Sequence, residues 1–553
     1  MPIFVGMKRL LPLLLLCLVG SVFGQLPRGI VMIDVSRHFM PIGFLYRQVD
    51  ELSRYGIPAM QLHLTDAAGW RLEIKAYPEL TDVGAWRTAR DWSDWWAGDR
   101  RYSDSQRGFG GYYTQAEMRA LVGYARERGV EIIPEIEFPA HSEEATAALP
   151  WLSCTGRAYT SADLCIGSDT TYVFMSRVLS EVADVFPSPY LHLGGDEAGG
   201  KHWATCSRCQ GMTQAMAMQR LNGIVRSLGR KMICWDDVYT AGLRDTTVAI
   251  MVWRDPKTAR LAREAGHEVV YCPARYCYLD KYQDAPSSQP RAMGGYLPVD
   301  SVYAHLYGIA CGHEPSISNL QSSISLALCL WTEYVPTPED AERMLWPRTL
   351  ALAEALRPEP CRPEDFRRWA EEECHRLRAR GIHAFDLDRE VGQRPAHSAP
   401  ALHRARGASV AYSTAYHPYY PAGGSGALTD GLQGGWANTD GRWQGFLGPI
   451  DVTIDLGSRQ RFHAIDVSFL QSRGVEIYFP SHIIVSMSDD LHHWTTLTDQ
   501  PQLPDMQPDV LRTFTWQVSK REGLSSVRAR YVRLQTEPDS LGGWLFIDEI
   551  IIR

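Results

Sequence analysis

The sequence predicts an α/β chain, a (β/α)8 barrel followed by an all-β sandwich. Three observations carry this. Between Ile30 and about Glu333, eight short apolar runs recur, many of them separated by helical patterns. From Gln393 to about Gly407 the composition shifts to Pro, Ala, Arg and His without periodicity. Beyond that stretch cysteines vanish, and short β-rich runs bounded by Gly, Asp or Pro take over. With 553 residues, 45% of them hydrophobic and 22% charged, the chain is too long for one ordinary domain and has ample length for a large core.

In order along the chain, residues 1–24 read as a secretory signal. Lys8 and Arg9 precede an apolar run from Leu10 to Val19, and Ser21-Val22-Phe23-Gly24 supplies a small-residue cleavage pattern. The run is too short to span a bilayer, and the sequence predicts no transmembrane segment. The expectation is a secreted, periplasmic or cell-surface protein. The 56 basic and 64 acidic side chains leave a net charge of −8, which gives no reason to expect nucleic acid or an anionic membrane as partner.

The barrel is expected over 25–392. Its apolar runs end at Asp34, Leu64, Phe138, Leu193, Asp236, Trp253, Cys272 and Trp331. Helical spacing marks Leu45–Tyr55, Thr114–Arg128, Thr213–Leu228 and Ala341–Leu356. Barrel sites lie at the C-terminal strand ends. Charged or aromatic residues stand at all eight: Arg37, Asp66, His141, Asp196 with Glu197, Trp235, Trp253, Tyr278 with Asp280, and Trp331 with Glu333. Aromatic faces together with carboxylates and Arg suit a sugar, whose C–H face packs on rings while its hydroxyls bind charged groups.

The fourth strand end, YLHLGGDEAGG (Tyr190–Gly200), is the most informative. Gly194 and Gly195 allow a tight turn, and two adjacent carboxylates follow. On an extended backbone Asp196 and Glu197 would point to opposite sides and address different atoms of one ligand. Burial of Glu197 beside an ionised Asp196 would raise its pKa.

Eleven cysteines lie beyond the signal, all at or before Cys374. Cys154 and Cys165 bracket a polar loop and form the best disulfide candidate in an oxidising compartment. Cys206-x-x-Cys209 reads as a second bridge or half of a zinc site. Zinc would need two more ligands, and only His202 is near in sequence, which disfavours it.

The motifs RGIVMIDVSRHFMP, HLTDAAGWRLEIKAYPELTDVGAW, GGYYTQAEMRALVGYARERGVEIIPEIEFPAHS and YLHLGGDE, in this order from about Arg28 to about Phe385, resemble the β-N-acetylhexosaminidases of glycoside hydrolase family 20. The resemblance implies removal of terminal β-linked N-acetylglucosamine or N-acetylgalactosamine from glycans, with no cofactor for catalysis. It implies Glu197 as general acid, Asp196 as the carboxylate orienting the acetamide, and Tyr278 as donor to the acetamide oxygen. Trp235, Trp253 and Trp331 would form an aromatic box; Arg37, Asp280 and Glu333 would bind hydroxyls; Asp66 and His141 would support the acid. Four departures stand out: Ala67 for the second Asp of HLTDD, Ala140 for Gly in PGH, a pocket tryptophan replaced near Met293, and no N-terminal α/β domain. Adjacent carboxylates are poorly placed for a nucleophile-plus-acid pair across a glycosidic bond. They suit a substrate-assisted retaining route, with the acetamide oxygen as nucleophile. A non-catalytic glycan-binding lectin or adhesin on the same scaffold is the alternative, favoured only by Ala67 and Ala140.

Residues 393–407 read as a linker or docking segment and 408–553 as the sandwich. Here ALTDG, VTIDLG, VSMSDDLHHW, ARYVRLQ and GWLFIDEI resemble discoidin, or F5/8 type C, modules, which overlap carbohydrate-binding module family 32. That resemblance implies a jelly roll, often with one structural calcium ion, for which Asp430 and Glu549 are the candidate ligands. Tyr416, Tyr419, Tyr420 and Trp436 are either a sugar platform or core.

Overall fold

The computed structural model describes residues 25–98, 102–103, 108–313, 324–518 and 526–553. The signal reading of residues 1–24 lies outside the described residues. The eight apolar runs form a closed, all-parallel barrel in sequence order: β1 (Gly29–Asp34), β2 (Ala59–His63), β3 (Glu131–Glu135), β4 (Tyr190–His192), β5 (Lys231–Trp235), β6 (Ala249–Val252), β7 (Val269–Tyr271) and β8 (Ser325–Leu330). β8 closes on β1 with Leu326 opposite Gly29. The strands are packed on both faces, which is why they read as continuous apolar runs rather than alternating ones.

Helices α1 (Ile42–Arg54), α2 (Gln115–Glu127), α3 (Asp169–Val185) and α4 (Gln214–Ser227) follow β1 to β4. α2 starts at a capping box: the Thr114 hydroxyl accepts from the Glu117 N–H, and the Glu117 carboxylate accepts from the Thr114 N–H. The helix expected over Ala341–Leu356 is two, Pro338–Leu345 and Arg348–Ala355. Pro347, between them, lacks an N–H and its ring displaces the preceding carbonyl, so the apolar periodicity runs through a break in the backbone. After β5 the helix is only Asp236–Thr240, which leaves Asp237 at the barrel mouth.

Buried Arg71 ties the first two strand-end loops together. Its guanidinium donates to the carbonyls of Val35 (3.1 Å), Ala85 (2.6 Å) and Gly111 (3.0 Å), and to that of Ser36 beside Arg37. No carboxylate is needed, because five fixed N–H donors meet several otherwise unpaired carbonyls.

The C-terminal part is a five-stranded antiparallel sheet packed on a four-stranded one. In strand Ile450–Phe462, Ile450, Val452 and Ile454 point into the core between half-buried Asp451, Thr453 and Asp455. Segment 393–407 packs against the sandwich, and the sandwich in turn meets the end of the barrel unit. Arg394 Nη1 donates to Asp548 Oδ2 (2.8 Å) and to the Gly434 carbonyl (2.6 Å), while Trp436 Nε1 donates to the Gly392 carbonyl (2.9 Å). The Tyr282 hydroxyl reaches Asp509 Oδ2 across the junction (3.1 Å). Tyr420 packs against Trp544 and Phe546, whereas Tyr419 is exposed.

Candidate active site

The site is built on the turn after β4. Gly194 and Gly195 have φ of 57° and 95°. A Cβ at Gly194 would lie 1.8 Å from Glu137 Oε2, and one at Gly195 2.4 Å from Val238 Cγ2. Both glycines are therefore required by conformation and by close approach. The sequence predicts extended backbone at Asp196 and Glu197; Glu197 departs from it. Glu197 has φ of 48°, and its N–H donates to Asp237 Oδ1 (3.1 Å). This turn, rather than strand alternation, sends the two side chains apart: the Asp196 side chain is 13% exposed and that of Glu197 56%.

His141 joins them. Its Nε2 lies 3.5 Å from Asp196 Oδ2 and 3.6 Å from Glu197 Oε2, and its Nδ1 is 3.1 Å from Asp66 Oδ1. Burial pulls the imidazole pKa down, but Asp66 and Asp196 outweigh it and hold it well above the usual histidine range. Asp66 also accepts from Arg37 Nη2 (2.6 Å) and contacts His63 Nε2 (2.9 Å). Burial alone would raise Asp66; Arg37 and His141 hold it well below the carboxylate range. Arg37 in turn meets Asp34 (3.2 Å) and Glu333 (3.7 Å) and covers the Trp331 ring at 5.0 Å.

The expected upward shift of Glu197 is not what the structure gives. Its pKa is lowered, first by the His141 hydrogen bond, against a smaller upward effect of burial. Asp196 carries the upward shift instead, because it is the buried member, with His141 only partly offsetting the desolvation.

Trp235, Trp331, Tyr278 and Trp253 form a continuous aromatic wall. Trp235 and Trp331 lie 5.9 Å apart, Trp331 and Tyr278 5.8 Å, and Tyr278 stacks on Trp253 at 6.1 Å with 14° between planes. Trp235 Nε1 is fixed by Glu135 (3.0 Å) and Trp253 Nε1 by Asp237 (2.9 Å). Asp280 is buried and Glu333 largely so, and desolvation pushes them up to about 6 and about 7. Among the described residues, Asp196 Oδ1, Asp280 Oδ1, Glu333 Oε2 and Trp331 Nε1 are buried without hydrogen-bond partners. Such groups are costly unless a polar ligand takes them up.

All eleven catalytic and sugar-binding positions anticipated from sequence occur at the C-terminal strand ends, and the contacts above join all of them except Asp280. Sequence reasoning missed a second layer. His63 Nδ1 (3.0 Å) and His192 Nδ1 (3.0 Å) flank the Glu135 carboxylate inside the barrel. Asp34 accepts from the N–H groups of Ser36 (2.8 Å), Arg37 (3.0 Å) and Thr332 (3.0 Å). Asp237 holds Glu197, Trp253 and Arg254 at once. The available signal was polar residues inside apolar runs, and the second Asp of Trp235-Asp236-Asp237. The departures at Ala67 and Ala140 leave the backbone in place: the Ala67 N–H donates to Asp66, and the Ala140 carbonyl accepts from Ser142 Oγ (2.8 Å).

In the sandwich, Glu549 is fully buried, and desolvation pushes it up to about 9, with Asp430 adding repulsion. Its Oε1 lies 2.7 Å from His403 Nε2, but neither carboxylate oxygen has a hydrogen-bond partner among the described residues. Half-buried Asp430 uses Oδ1 for the Leu432 N–H (2.7 Å). Two mutually repelling carboxylates, one with both oxygens orphaned, fit a hard cation that takes oxygen ligands.

The Glu333 shift has a consequence for stability. The ordinary glutamate value is 4.5 and the folded one about 7, so the folded protein holds the extra proton between them. Its stability therefore falls as pH rises from about 4.5 to about 7, by up to about 3 kcal/mol in total, and does not change further above that. Glu333→Gln removes this contribution. The gain in unfolding temperature over wild type is expected to be larger at pH 8 than at pH 5; an equal difference at both would show that Glu333 is ionised throughout.

Residues 28–357 match the family described as glycosyl hydrolase family 20, catalytic domain, and residues 409–550 match the F5/8 type C domain. A beta-hexosaminidase of Porphyromonas gingivalis is 32% identical over 373 residues, 64% of this chain and 46% of its own length. One from Vibrio furnissii is 32% identical over 58% of this chain and 55% of its own, and one from Akkermansia muciniphila 27% over 67% and 76%. The chain thus spans about half the length of the first two curated relatives. Among solved structures, a GH20 exo beta-N-acetylglucosaminidase from Vibrio harveyi in complex with N-acetylglucosamine superposes with a TM-score of 0.55 at 27% identity, covering 65% of this chain and 58% of that one. A mutant Streptomyces plicatus beta-hexosaminidase in complex with product (GlcNAc) gives 0.55 at 27%, covering 66% and 71%. With the barrel, the paired carboxylates after β4 and the aromatic wall all inside the matched span, the chain belongs to glycosyl hydrolase family 20.

Proposed function

We propose that this chain is an exported, exo-acting β-N-acetylhexosaminidase that removes terminal N-acetylglucosamine or N-acetylgalactosamine with retention, the acetamide of the substrate serving as nucleophile. The observation that carries the reading is the ring of buried, unpartnered polar atoms facing an aromatic wall at the strand ends. A sugar satisfies such atoms, and relatives of similar sequence are beta-hexosaminidases.

In this reading Arg37, Asp280 and Glu333 take the ring hydroxyls. Trp235, Trp253 and Trp331 enclose the acetamide, and Tyr278 donates to its carbonyl oxygen. That oxygen attacks the anomeric carbon as the glycosidic C–O bond breaks, and Glu197 gives its proton to the leaving oxygen. Asp196 accepts the acetamide N–H and offsets the positive charge of the oxazolinium. Water then attacks the anomeric carbon as its bond to the acetamide oxygen breaks and restores the acetamide, with Glu197 taking the water's proton. The lowered pKa of Glu197 belongs to the open site; an aglycone over its exposed face removes water there and raises it. Arg37 and His141 keep Asp66 ionised, and so keep His141 aimed at both carboxylates.

In the sandwich we infer one structural calcium ion held by Asp430 and Glu549. Chelation with EGTA is expected to lower the unfolding temperature of the full chain, and added calcium to restore it. In Asp430→Ala neither treatment should have an effect. Calcium-independent melting of the wild type would refute the ion.

Turnover of 4-nitrophenyl N-acetyl-β-glucosaminide or the matching galactosaminide tests the activity, and none on either would sink it. Glu197→Gln should lose roughly 10²–10⁴-fold in kcat, and least with acidic phenol leaving groups that scarcely need protonation. An equal loss for good and poor leaving groups would remove the general-acid role.

Substrate assistance is tested by binding. A thiazoline mimic of the oxazoline should bind far more tightly than N-acetylglucosamine, and Asp196→Asn should weaken the mimic more than the sugar. Equal affinity for both, or a covalent glycosyl-enzyme on either carboxylate, would overturn the mechanism.

A further inference from the structure

Four cysteines from two separate loops converge beside the catalytic turn. Cys154 and Cys165 come from the loop after β3, which also carries His141; Cys206 and Cys209 come from the loop after β4, which begins with Asp196 and Glu197. Their four sulfurs all lie within 4.8 Å of one another. Cys154 and Cys209 are 3.6 Å apart, Cys165 and Cys209 3.6 Å, and Cys165 and Cys206 3.8 Å. None of the described cysteines is disulfide-bonded, so the Cys154–Cys165 bridge expected from the sequence is not formed. The ligand shortage that disfavoured zinc also disappears: the missing pair comes from Cys154 and Cys165, distant in sequence, while His202 Nε2 is taken by the Thr160 carbonyl (2.8 Å).

We propose that Cys154, Cys165, Cys206 and Cys209 bind one structural zinc ion that clamps the loop carrying His141 to the loop carrying Glu197. The sulfur separations fit a single tetrahedral ion. Metal–sulfur bonds of about 2.3 Å give tetrahedron edges of about 3.8 Å, whereas a disulfide brings sulfurs to about 2.05 Å. Four protein ligands leave no open position, as in a structural rather than a catalytic site. Cys165 and Cys209 are buried and the other two half-buried, so the ion would be shielded from exchange.

The surroundings suit a thiolate cluster of net negative charge. The Arg208 guanidinium and the N–H groups of Arg208 and Cys209 donate to the Cys206 sulfur. Arg208 Nη2 also reaches the carbonyls of Ser153 (3.1 Å) and Cys154 (3.2 Å), crossing between the loops. The backbones approach so closely there that a Cβ on Gly167 would lie 1.8 Å from the Arg208 carbonyl oxygen. Next to the cluster, Asp163 Oδ2 accepts from the Gly200 N–H (2.9 Å) and Trp203 Nε1 donates to the Leu164 carbonyl (3.0 Å). The ion would thus anchor both segments that place the groups around His141 Nε2.

The test needs no assay of turnover. The full chain, purified without added metal or a metal-binding tag, is analysed for metals and for thiols. About one zinc per chain is expected. Native alkylation followed by peptide mapping should leave these four cysteines unmodified until a strong chelator is added, while exposed Cys311 reacts at once. Cobalt(II) in place of zinc should give the intense visible bands of a tetrahedral tetrathiolate. Cys206→Ser/Cys209→Ser should lose the metal, and Cys311→Ser should keep it. Should the double variant fail to fold, the alkylation map of the wild type still decides. A metal-free protein four hydrogens lighter, with these cysteines in two disulfides, would overturn the proposal. So would bound iron, or zinc retained in the double variant.

Discussion

The barrel mouth depends on a charge balance. Asp34, Asp66, Asp196 and Glu333 are withdrawn from water around two cationic groups, Arg37 and His141. Burying such charges is costly, and mutual contact at about 2.6–3.7 Å, with backbone N–H donors to Asp34, offsets it. The outcome differs by position. Asp66, touching Arg37, His63 and His141, is held ionised, while Glu333, farther from Arg37, is pushed up to about 7. A gradient of protonation across one pocket follows from distance to two cations.

That balance is held in place by a layer that never faces the pocket. Glu135 lies between His63 and His192 in the barrel core and also fixes the Trp235 indole. Asp237 does the same at the rim, holding the backbone of Glu197 and the indole of Trp253. Rings and carboxylates positioned by buried hydrogen bonds lose little freedom when a ligand arrives, which is the condition for a preorganised site.

The loops after β3 and β4 form one mechanical unit. His141 and Glu197 both take left-handed backbone conformations, which non-glycine residues hold only when neighbours over-determine them. The cysteine cluster, Arg208 and the Asp163–Gly200 contact supply that constraint from outside the pocket. The sandwich meets the barrel through the Trp436–Gly392 and Tyr282–Asp509 contacts, away from the groups around His141 among the described residues.

The sequence by itself determined the barrel, the sandwich and the strand-end residues, because each is written locally: apolar runs of strand length, Gly194-Gly195 before two acids, aromatic residues closing runs. Tertiary structure decided whatever depends on several loops meeting. The lowered pKa of Glu197 comes from His141, fifty-six positions upstream, and from exposure created by a left-handed turn. Asp237 and Glu135 acquire their roles only when β3, β4 and β5 lie side by side. Pro347 divides a helix whose apolar pattern continues across it, since periodicity records which face is buried and not whether the backbone is continuous. The four cysteines form pairs along the chain but one cluster in space, because parallel barrel strands deliver successive loops to the same edge.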